Sequence, residues 1–231
     1  MTIEGAVSEW WTYSLSNFLL FSPRTYYRLF ELTNADVWPL HIVTLALGVG
    51  MAFLVWRPRA WSGRAIAAIL ATLWLFVAWA YLLERYDTIN WAARYFAIAF
   101  VLQAALLVWS GVLRNRLIFE VGDIVARTGL ALFLYALALH PLIAPLTGRP
   151  VTQAEIFGLA PDPTAIATLG ILLAAERPRL HLFVIPLLWC LITGLTLWTM
   201  ESSEAALAPL LGLLAATIGL SKALAARRKM R

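Results

Sequence analysis

Seven polar or ionisable residues stand inside or at the ends of apolar stretches of this chain, where their side chains could bind or guide an ion. An ionisable group within a membrane span is costly, and it usually faces the protein interior, a watery cavity or an ion pathway. We therefore predict that these residues line a polar cavity in the outer half of a helical bundle, although each alone also fits a loop end or a hydrogen bond between helices. They are His41, Glu84, Arg85, Gln103, His140, Asp162 and Glu201.

Asp123 and Arg127 form a second candidate site, at the predicted cytoplasmic start of an apolar segment. Their spacing puts both side chains on one face of a helix, where they can pair. This pattern indicates either a neutralised structural pair, with the arginine reaching towards the interface, or an internal gate.

The sequence lacks the signatures of other chemistry. Histidines and carboxylates can hold Zn, Cu or Ni, but no HxxxH, HxxE or paired cysteine fixes two ligands locally, so we predict no metal and no cofactor. Cys190 is the single cysteine, which excludes an intrachain disulfide. The absence of GxSxG, P-loop, HExxH and GxGxxG patterns leads us to predict no catalytic residues, and it weakens an enzymatic function without excluding it.

The composition is that of a membrane protein. Of the 231 residues 61% are hydrophobic and only 13% are charged, about half the charged fraction of a typical soluble domain. The formal net charge of +5 comes from basic residues scattered among short loops. Such scatter is typical of a topology signal and does not form a nucleic-acid-binding patch, so we predict no nucleic acid partner.

Six apolar segments approach or meet the roughly 20 residues that a spanning helix needs. A shorter apolar run, Thr164–Ala175, is a possible seventh. The six are Val37–Trp56, Ala65–Leu83, Trp91–Leu113, Ile124–Leu139, His181–Met200 and Ala205–Ala223.

The distribution of basic residues predicts the orientation. If the short run crosses the membrane, one set of alternate loops carries 12 Lys or Arg residues and the other set carries five. The positive-inside rule then assigns the set with 12 basic residues to the cytoplasm. We predict an all-α bundle of seven transmembrane helices, N-terminus out and C-terminus in, in the bacterial inner membrane. The expected parts are interfacial helices at 1–36, the bundle at 37–224 and a basic cytoplasmic tail at 225–231.

The short run raises the question of how about 18 Å of helix crosses a hydrocarbon core of about 30 Å. One interpretation recruits Ile156–Ala160 and breaks the helix near Pro161 and Pro163, where protein must cover the broken backbone. The alternative is a local thinning of the bilayer. Pro163 fits the first helical position and Asp162 the capping position before it; a sharper hypothesis adds that Asp162 attracts a cation or a proton.

The N-terminal region is rich in aromatic residues. Trp10, Trp11, Tyr13, Phe18 and Phe21 suit the headgroup level of a bilayer. The following Ser-Pro pair predicts the capped start of a short helix with several aromatics on one side. We interpret this region as one or two helices lying on the outer surface; the alternative is a lid over an external cavity.

Two stretches, FSPRTYYRLFELTNADVWPLH at 21–41 and IFGLAPDPTAIATLGILL at 156–173, resemble a bacterial membrane family, domain of unknown function 6064. The resemblance covers nearly the whole chain and implies a multipass bacterial membrane protein with no assigned activity. In relatives the Pro-x-Pro-Thr turn often carries cysteine where this chain has Asp162, so the resemblance implies no thiol chemistry at this turn.

Three classes of function remain open. The first is a transporter or channel for a small solute or ion, the second a non-catalytic membrane partner or assembly subunit, and the third an enzyme acting on a membrane-embedded substrate. Convergence of His41, Gln103 and His140 on one cavity would favour the first, whereas dispersal of these side chains would favour the second. The expected partners are the lipid bilayer, an unknown small solute or ion, and either another membrane protein or a second copy of the chain.

Overall fold

The computed structural model describes residues 21–120 and 122–228. These residues form an all-α fold, as predicted. The aromatic residues at positions 10, 11, 13 and 18, together with the last three residues of the basic tail, lie outside the described residues. The main helices are α1 (Pro23–Asp36), α2 (Leu40–Trp56), α3 (Ser62–Val77), α4 (Ala93–Leu107), α5 (Ile124–Leu134), α6 (Pro161–Ala174), α7 (Val184–Thr199) and α8 (Leu207–Arg228).

Several helices are extended by tighter or wider turns. A π-helical segment follows each of α3, α4 and α5, at Ala78–Leu83, Val108–Leu113 and Tyr135–Leu139. With these extensions, five helical segments of the described residues are long and apolar enough to cross a membrane. They are Ser62–Thr88, Ala93–Leu113, Ile124–Leu146, Leu180–Thr199 and Leu207–Ala226. Their bounds agree with the predicted apolar segments, and a chain built on such helices is a membrane protein.

A sharp bend separates α1 from α2. The two helices meet at 91° and together count as a sixth candidate crossing. Ser22 caps α1 as predicted, because its side chain accepts a hydrogen bond from the backbone N–H of Thr25 at 3.2 Å. Tyr26, Tyr27 and Phe30 are buried against the bundle, so α1 packs across one end of it.

The short helix α6 lies at the centre of the molecule. All of its 14 residues are buried, and α5, α7, α8 and α3 surround it. The crossing with α5 is very close, since a Cβ atom added to Gly170 would lie 2.6 Å from the backbone nitrogen of Phe133. Neighbouring helices therefore replace lipid along the whole of α6.

The start of α6 is a shielded break in the chain, one of the two predicted explanations for its shortness. Residues 157–160 are buried and turn through Gly158, whose φ is +79°. Thr164 closes this turn: its hydroxyl accepts from the Gly158 N–H at 2.9 Å and donates to the Ala160 carbonyl at 2.6 Å. Protein therefore covers this irregular backbone, as membrane depth requires.

The predicted capping role of Asp162 is wrong. The helix begins one residue before Asp162, with Pro161 in its first turn and extended Ala160 as the flanking residue. Because proline fits the first helical position, Pro161 takes the place expected for Pro163. Asp162 is thus inside the helix, and its carboxylate points to α7.

Contacts between loops define two ends of the bundle. At one end, Asn34 of α1 donates to the carbonyls of Thr152 and Ala154, each at 2.9 Å; we call this the acidic end. At the other, the Glu176 N–H donates to the Ile118 carbonyl at 2.8 Å; we call this the basic end. Helix α6 runs from the acidic end to the basic end. Its count as a seventh crossing, and the side that each end faces, stay predictions.

Candidate functional site

A small polar cavity lies at the acidic end beside the start of α6. Its volume is about 10 Å³, close to the space that one water molecule occupies. Four of its lining residues are ionisable, and the rest are aliphatic. The lining residues are His140, Ile143, Glu155, Asp162, Leu197, Glu204, Leu207 and Ala208.

Two side chains of α7 hold the Asp162 carboxylate. The indole Nε1 of Trp189 and the hydroxyl of Thr193 both donate to Asp162 Oδ1, each at 2.7 Å. All three residues are buried. These donors fix the orientation of one carboxylate oxygen, because a buried acceptor is held strongly by short hydrogen bonds.

His140 and Glu155 form a second buried pair. Their nearest atoms, His140 Nε2 and Glu155 Oε2, are 3.8 Å apart, which is longer than a hydrogen bond. Glu155 Oε2 and His140 Nδ1 have no hydrogen-bond partner among the described residues. The chain places His140 directly after the π-helical segment of α5, a feature that often marks functional sites.

The third carboxylate of the cavity is neutralised. One nitrogen of the Arg149 guanidinium, Nη2, donates to both oxygens of Glu204, at 2.8 and 2.9 Å, and such charge-assisted hydrogen bonds are strong. The Tyr27 hydroxyl donates to Glu204 at 2.6 Å, and the Arg149 guanidinium lies 3.8 Å from the centre of the Tyr27 ring. This network joins α1 to the loops before α6 and α8.

An aromatic cluster connects α1 to Asp162. Tyr26 and Tyr81 each have ring centres 6.0 Å from that of Tyr86, and Tyr86 stacks on Phe96 at 6.4 Å. Phe96 meets Trp189, the donor to Asp162, at 5.6 Å. The acidic group is therefore packed among rings, which give it a low-dielectric surrounding.

The structure brings together two of the seven predicted cavity residues, His140 and Asp162. His41 instead approaches Asn34 Oδ1 at 3.3 Å. Gln103 is buried farther along α4 and donates to the Leu182 carbonyl at 3.0 Å, near the basic end.

The other three predicted cavity residues lie at the surface of the acidic end. Arg85 pairs with Asp36, and Glu84 borders the same shallow groove. Glu201 is exposed in the turn before α8. His41 and Gln103 are thus dispersed from His140, which favours a non-catalytic membrane partner over a transporter with one large cavity.

The predicted Asp123–Arg127 ion pair is wrong: among the described residues, Asp123 pairs with Lys222 of α8 at 3.3 Å. Asp123 also caps α5, accepting from the Ala126 N–H at 2.6 Å, which turns its carboxylate back towards the helix start. Partial burial raises the pKa of Asp123, but the Ala126 N–H and the Lys222 ammonium outweigh it, so its pKa is lowered from the usual value.

Two cavity carboxylates were missed from the sequence, Glu155 and Glu204. Glu155 is the one charged residue in the apolar run Ala154–Ala160. That isolation is a usable signal, since a lone carboxylate in an apolar stretch marks a buried site. No local pattern predicts the Arg149–Glu204 pair, whose members are 55 residues apart.

Among the described residues, no group of three or more His, Cys, Asp or Glu side chains is placed to hold a metal ion. The cavity offers carboxylate oxygen atoms and one imidazole to an occupant. A proton, a water molecule or a single small cation matches its volume.

The sequence of this chain matches the model of a protein family. No curated protein and no solved structure matches this chain. A family model described as "Family of unknown function (DUF6064)" matches residues 24–230. That range contains all of α1 except Pro23, the helices α2 to α8 and every cavity residue described above, and the chain belongs to this family.

Proposed function

We propose that this protein binds and moves a small cation or a proton, and that the cavity at the acidic end is its binding site. The observation that carries the proposal is the charge balance around this cavity. Glu204 is paired with Arg149, whereas Glu155 and Asp162 share the neighbourhood of one imidazole, His140. Buried carboxylates without matching positive charge are costly, so a proton or cation is favoured there.

The cavity volume narrows the predicted substrate class. About 10 Å³ accommodates a particle of the size of one water molecule, which argues against an organic solute in this conformation. Glu155 Oε2 and His140 Nδ1, which belong to lining residues, are buried without hydrogen-bond partners among the described residues. These atoms are available to an occupant, whereas Asp162 Oδ1 is already held by two donors.

The proposal is tested with purified protein in liposomes under an imposed pH, Na⁺ or K⁺ gradient. A dye inside the liposomes reports ion entry. We expect Glu155→Gln and Asp162→Asn to slow the flux by about tenfold or more, because each removes a pathway charge. Glu201→Gln is the matched control: it removes an exposed carboxylate of the same end and should leave the flux unchanged.

A flux no faster than in protein-free liposomes, or one that both cavity variants leave intact, would contradict the proposal. The second candidate is a non-catalytic membrane subunit, which the separate positions of His41 and Gln103 favour. A subunit role predicts that Asp162→Asn does not change ion flux, and that the protein stays folded because the amide oxygen still accepts from Trp189 and Thr193.

A further inference from the structure

Three arginines gather at the basic end, on two loops that the backbone ties together. Arg116 follows α4, while Arg177 and Arg179 follow α6. The Glu176 N–H donates to the Ile118 carbonyl at 2.8 Å, and Phe119 forms a backbone bridge with Ala175. The two loops therefore form one surface.

Ser110 contacts both parts of this surface, one through its backbone and one through its side chain. Its carbonyl accepts from the Arg116 N–H at 2.9 Å, and its hydroxyl is 2.9 Å from His181 Nε2. Ser110 belongs to the π-helical end of α4, where the widened turn frees backbone groups for such contacts. Arg116, through the Ser110 carbonyl, and His181, through the Ser110 hydroxyl, are thereby held by the same residue.

The charges of this surface are poorly compensated. Among the described residues, the one carboxylate within 4.0 Å of these guanidinium groups is Glu176, at 3.8 Å from Arg177. Arg179 Nε is buried and has no hydrogen-bond partner in the described part of the chain. Partial burial lowers the pKa of Arg179, and the nearby Arg116 and Arg177 lower it further, as expected for like charges held together.

We propose that Arg116, Arg177 and Arg179 form a binding site for a phosphate-bearing anion. Guanidinium groups match phosphate oxygens in planar, bidentate geometry, and an anion would pair the donor of Arg179 that the protein leaves unpaired. The loops follow the apolar helices α4 and α6, and basic pockets beside the ends of membrane helices bind anionic lipids. The phosphate belongs either to such a headgroup or to a soluble anion.

The test uses the full-length protein in a detergent with a neutral headgroup. Short-chain phosphatidylglycerol is titrated, and native mass spectrometry counts the bound lipids. We expect Arg179→Gln to weaken lipid binding about fivefold, which corresponds to about 1 kcal/mol per basic residue, and the Arg116→Gln/Arg179→Gln pair to weaken it further. Arg179→Lys, which keeps the charge but loses the planar fork, should fall between Arg179→Gln and the unmodified protein.

Arg57→Gln is the matched control, because Arg57 is an exposed arginine of the same end that lies over the ring of Trp56 at 5.5 Å. Inorganic phosphate is then added as a competitor: displacement of the lipid identifies a site open to soluble anions, and retention identifies a headgroup site. Equal weakening by Arg57→Gln and Arg179→Gln would overturn the proposal, as would binding no tighter than that of phosphatidylcholine. Melting curves of each variant separate lost binding from lost folding.

Discussion

The two ends of the bundle treat charge in opposite ways. At the acidic end, the carboxylates of Asp162 and Glu204 are buried and held by donors from other parts of the chain, as Asp162 is by Trp189 and Thr193. At the basic end, Arg116 and Arg177 are exposed and have little compensating charge. A buried carboxylate without a partner is costly, whereas an arginine at an interface keeps its hydration. The first arrangement suits a selective internal site, the second a surface that attracts a partner of opposite charge.

Helix α6 runs between these two ends, and an ionisable group near each of its termini suits the helix dipole. Asp162 lies in its first turn, near the positive end of the helix dipole. At the other end, Lys222 Nζ donates to the carbonyls of Ala175 at 2.9 Å and Leu173 at 3.4 Å, where a cation is favoured. A helix surrounded by protein thus has a charged group at each terminus.

The largest expected effect comes from a substitution that pushes α6, the helix that connects the two ends, away from α5. In Gly170→Val, the new side chain would meet the Phe133 backbone, because even a Cβ atom would lie 2.6 Å from its nitrogen. Such overpacking against backbone should cost about 3 kcal/mol or more and lower the yield of folded protein. Thermal melting in detergent measures it. Gly50→Ala is the control, since a Cβ there meets nothing within 4 Å; equal losses would contradict the close crossing.

The second prediction separates charge from hydrogen bonding at the acidic end. Asp162→Leu leaves two buried donors, Trp189 Nε1 and the Thr193 hydroxyl, without their acceptor and should cost about 2–4 kcal/mol. Asp162→Asn keeps an acceptor oxygen and should cost less than about 1 kcal/mol, while still slowing ion flux. Chemical denaturation compares the two. If Asp162→Asn were as unstable as Asp162→Leu, the negative charge itself would be structural.

The third prediction tests whether the Arg149–Glu204 pair secures the acidic end. Arg149→Gln leaves the Glu204 carboxylate, whose side chain is only 7% exposed, without its cation and should cost about 2–3 kcal/mol. Replacing both residues, as Arg149→Met with Glu204→Gln, should restore part of this loss because no buried charge is left unpaired. A double variant less stable than Arg149→Gln alone would show that the network acts through something other than charge pairing.

The smallest expected effect is at the basic end and depends on pH. The folded pKa of Asp123 is lowered, so its stabilisation is present above its unfolded pKa of about 4 and is lost as the pH falls through the folded value. Asp123→Asn keeps the helix cap, so the free-energy difference should be only about 0.3–1 kcal/mol for this half-exposed pair. The melting temperatures of the two proteins should differ at pH 6 and approach each other as the pH falls from about 4 through the lower folded pKa. A difference that persists in acid would assign the effect to the cap.

The helical spans could be predicted from the sequence because lipid imposes a simple requirement on length and composition. The run Trp91–Leu113, for example, corresponds to the helical segment Ala93–Leu113. The shielded break before α6 was also foreseen as one of two alternatives, since two prolines follow an apolar stretch. Both features depend on residues that are close together in the chain, so the sequence itself indicates them.

The partners of polar groups could not be predicted in the same way. The donors to Asp162 lie 27 and 31 residues later in the chain, and nothing local distinguishes Trp189 from the other tryptophans. Asp123 had a suitable partner four residues away, yet the more distant Lys222 is the one that reaches it. Choice among distant partners depends on how helices pack, so the candidate site was recovered only in part, through His140 and Asp162.

The late position of the Asp162 donors has a consequence for biosynthesis. As the chain enters the membrane, α6 emerges with a carboxyl group whose hydrogen-bond donors, on α7, have not yet been made. A 14-residue segment carrying an unsatisfied acid is a poor candidate for release into lipid by itself. We therefore expect α6 to wait beside the insertion machinery until α7 arrives, so that the two helices leave as a hairpin. Trp189 and Thr193 would then determine the moment at which α6 enters the bilayer as well as its final position.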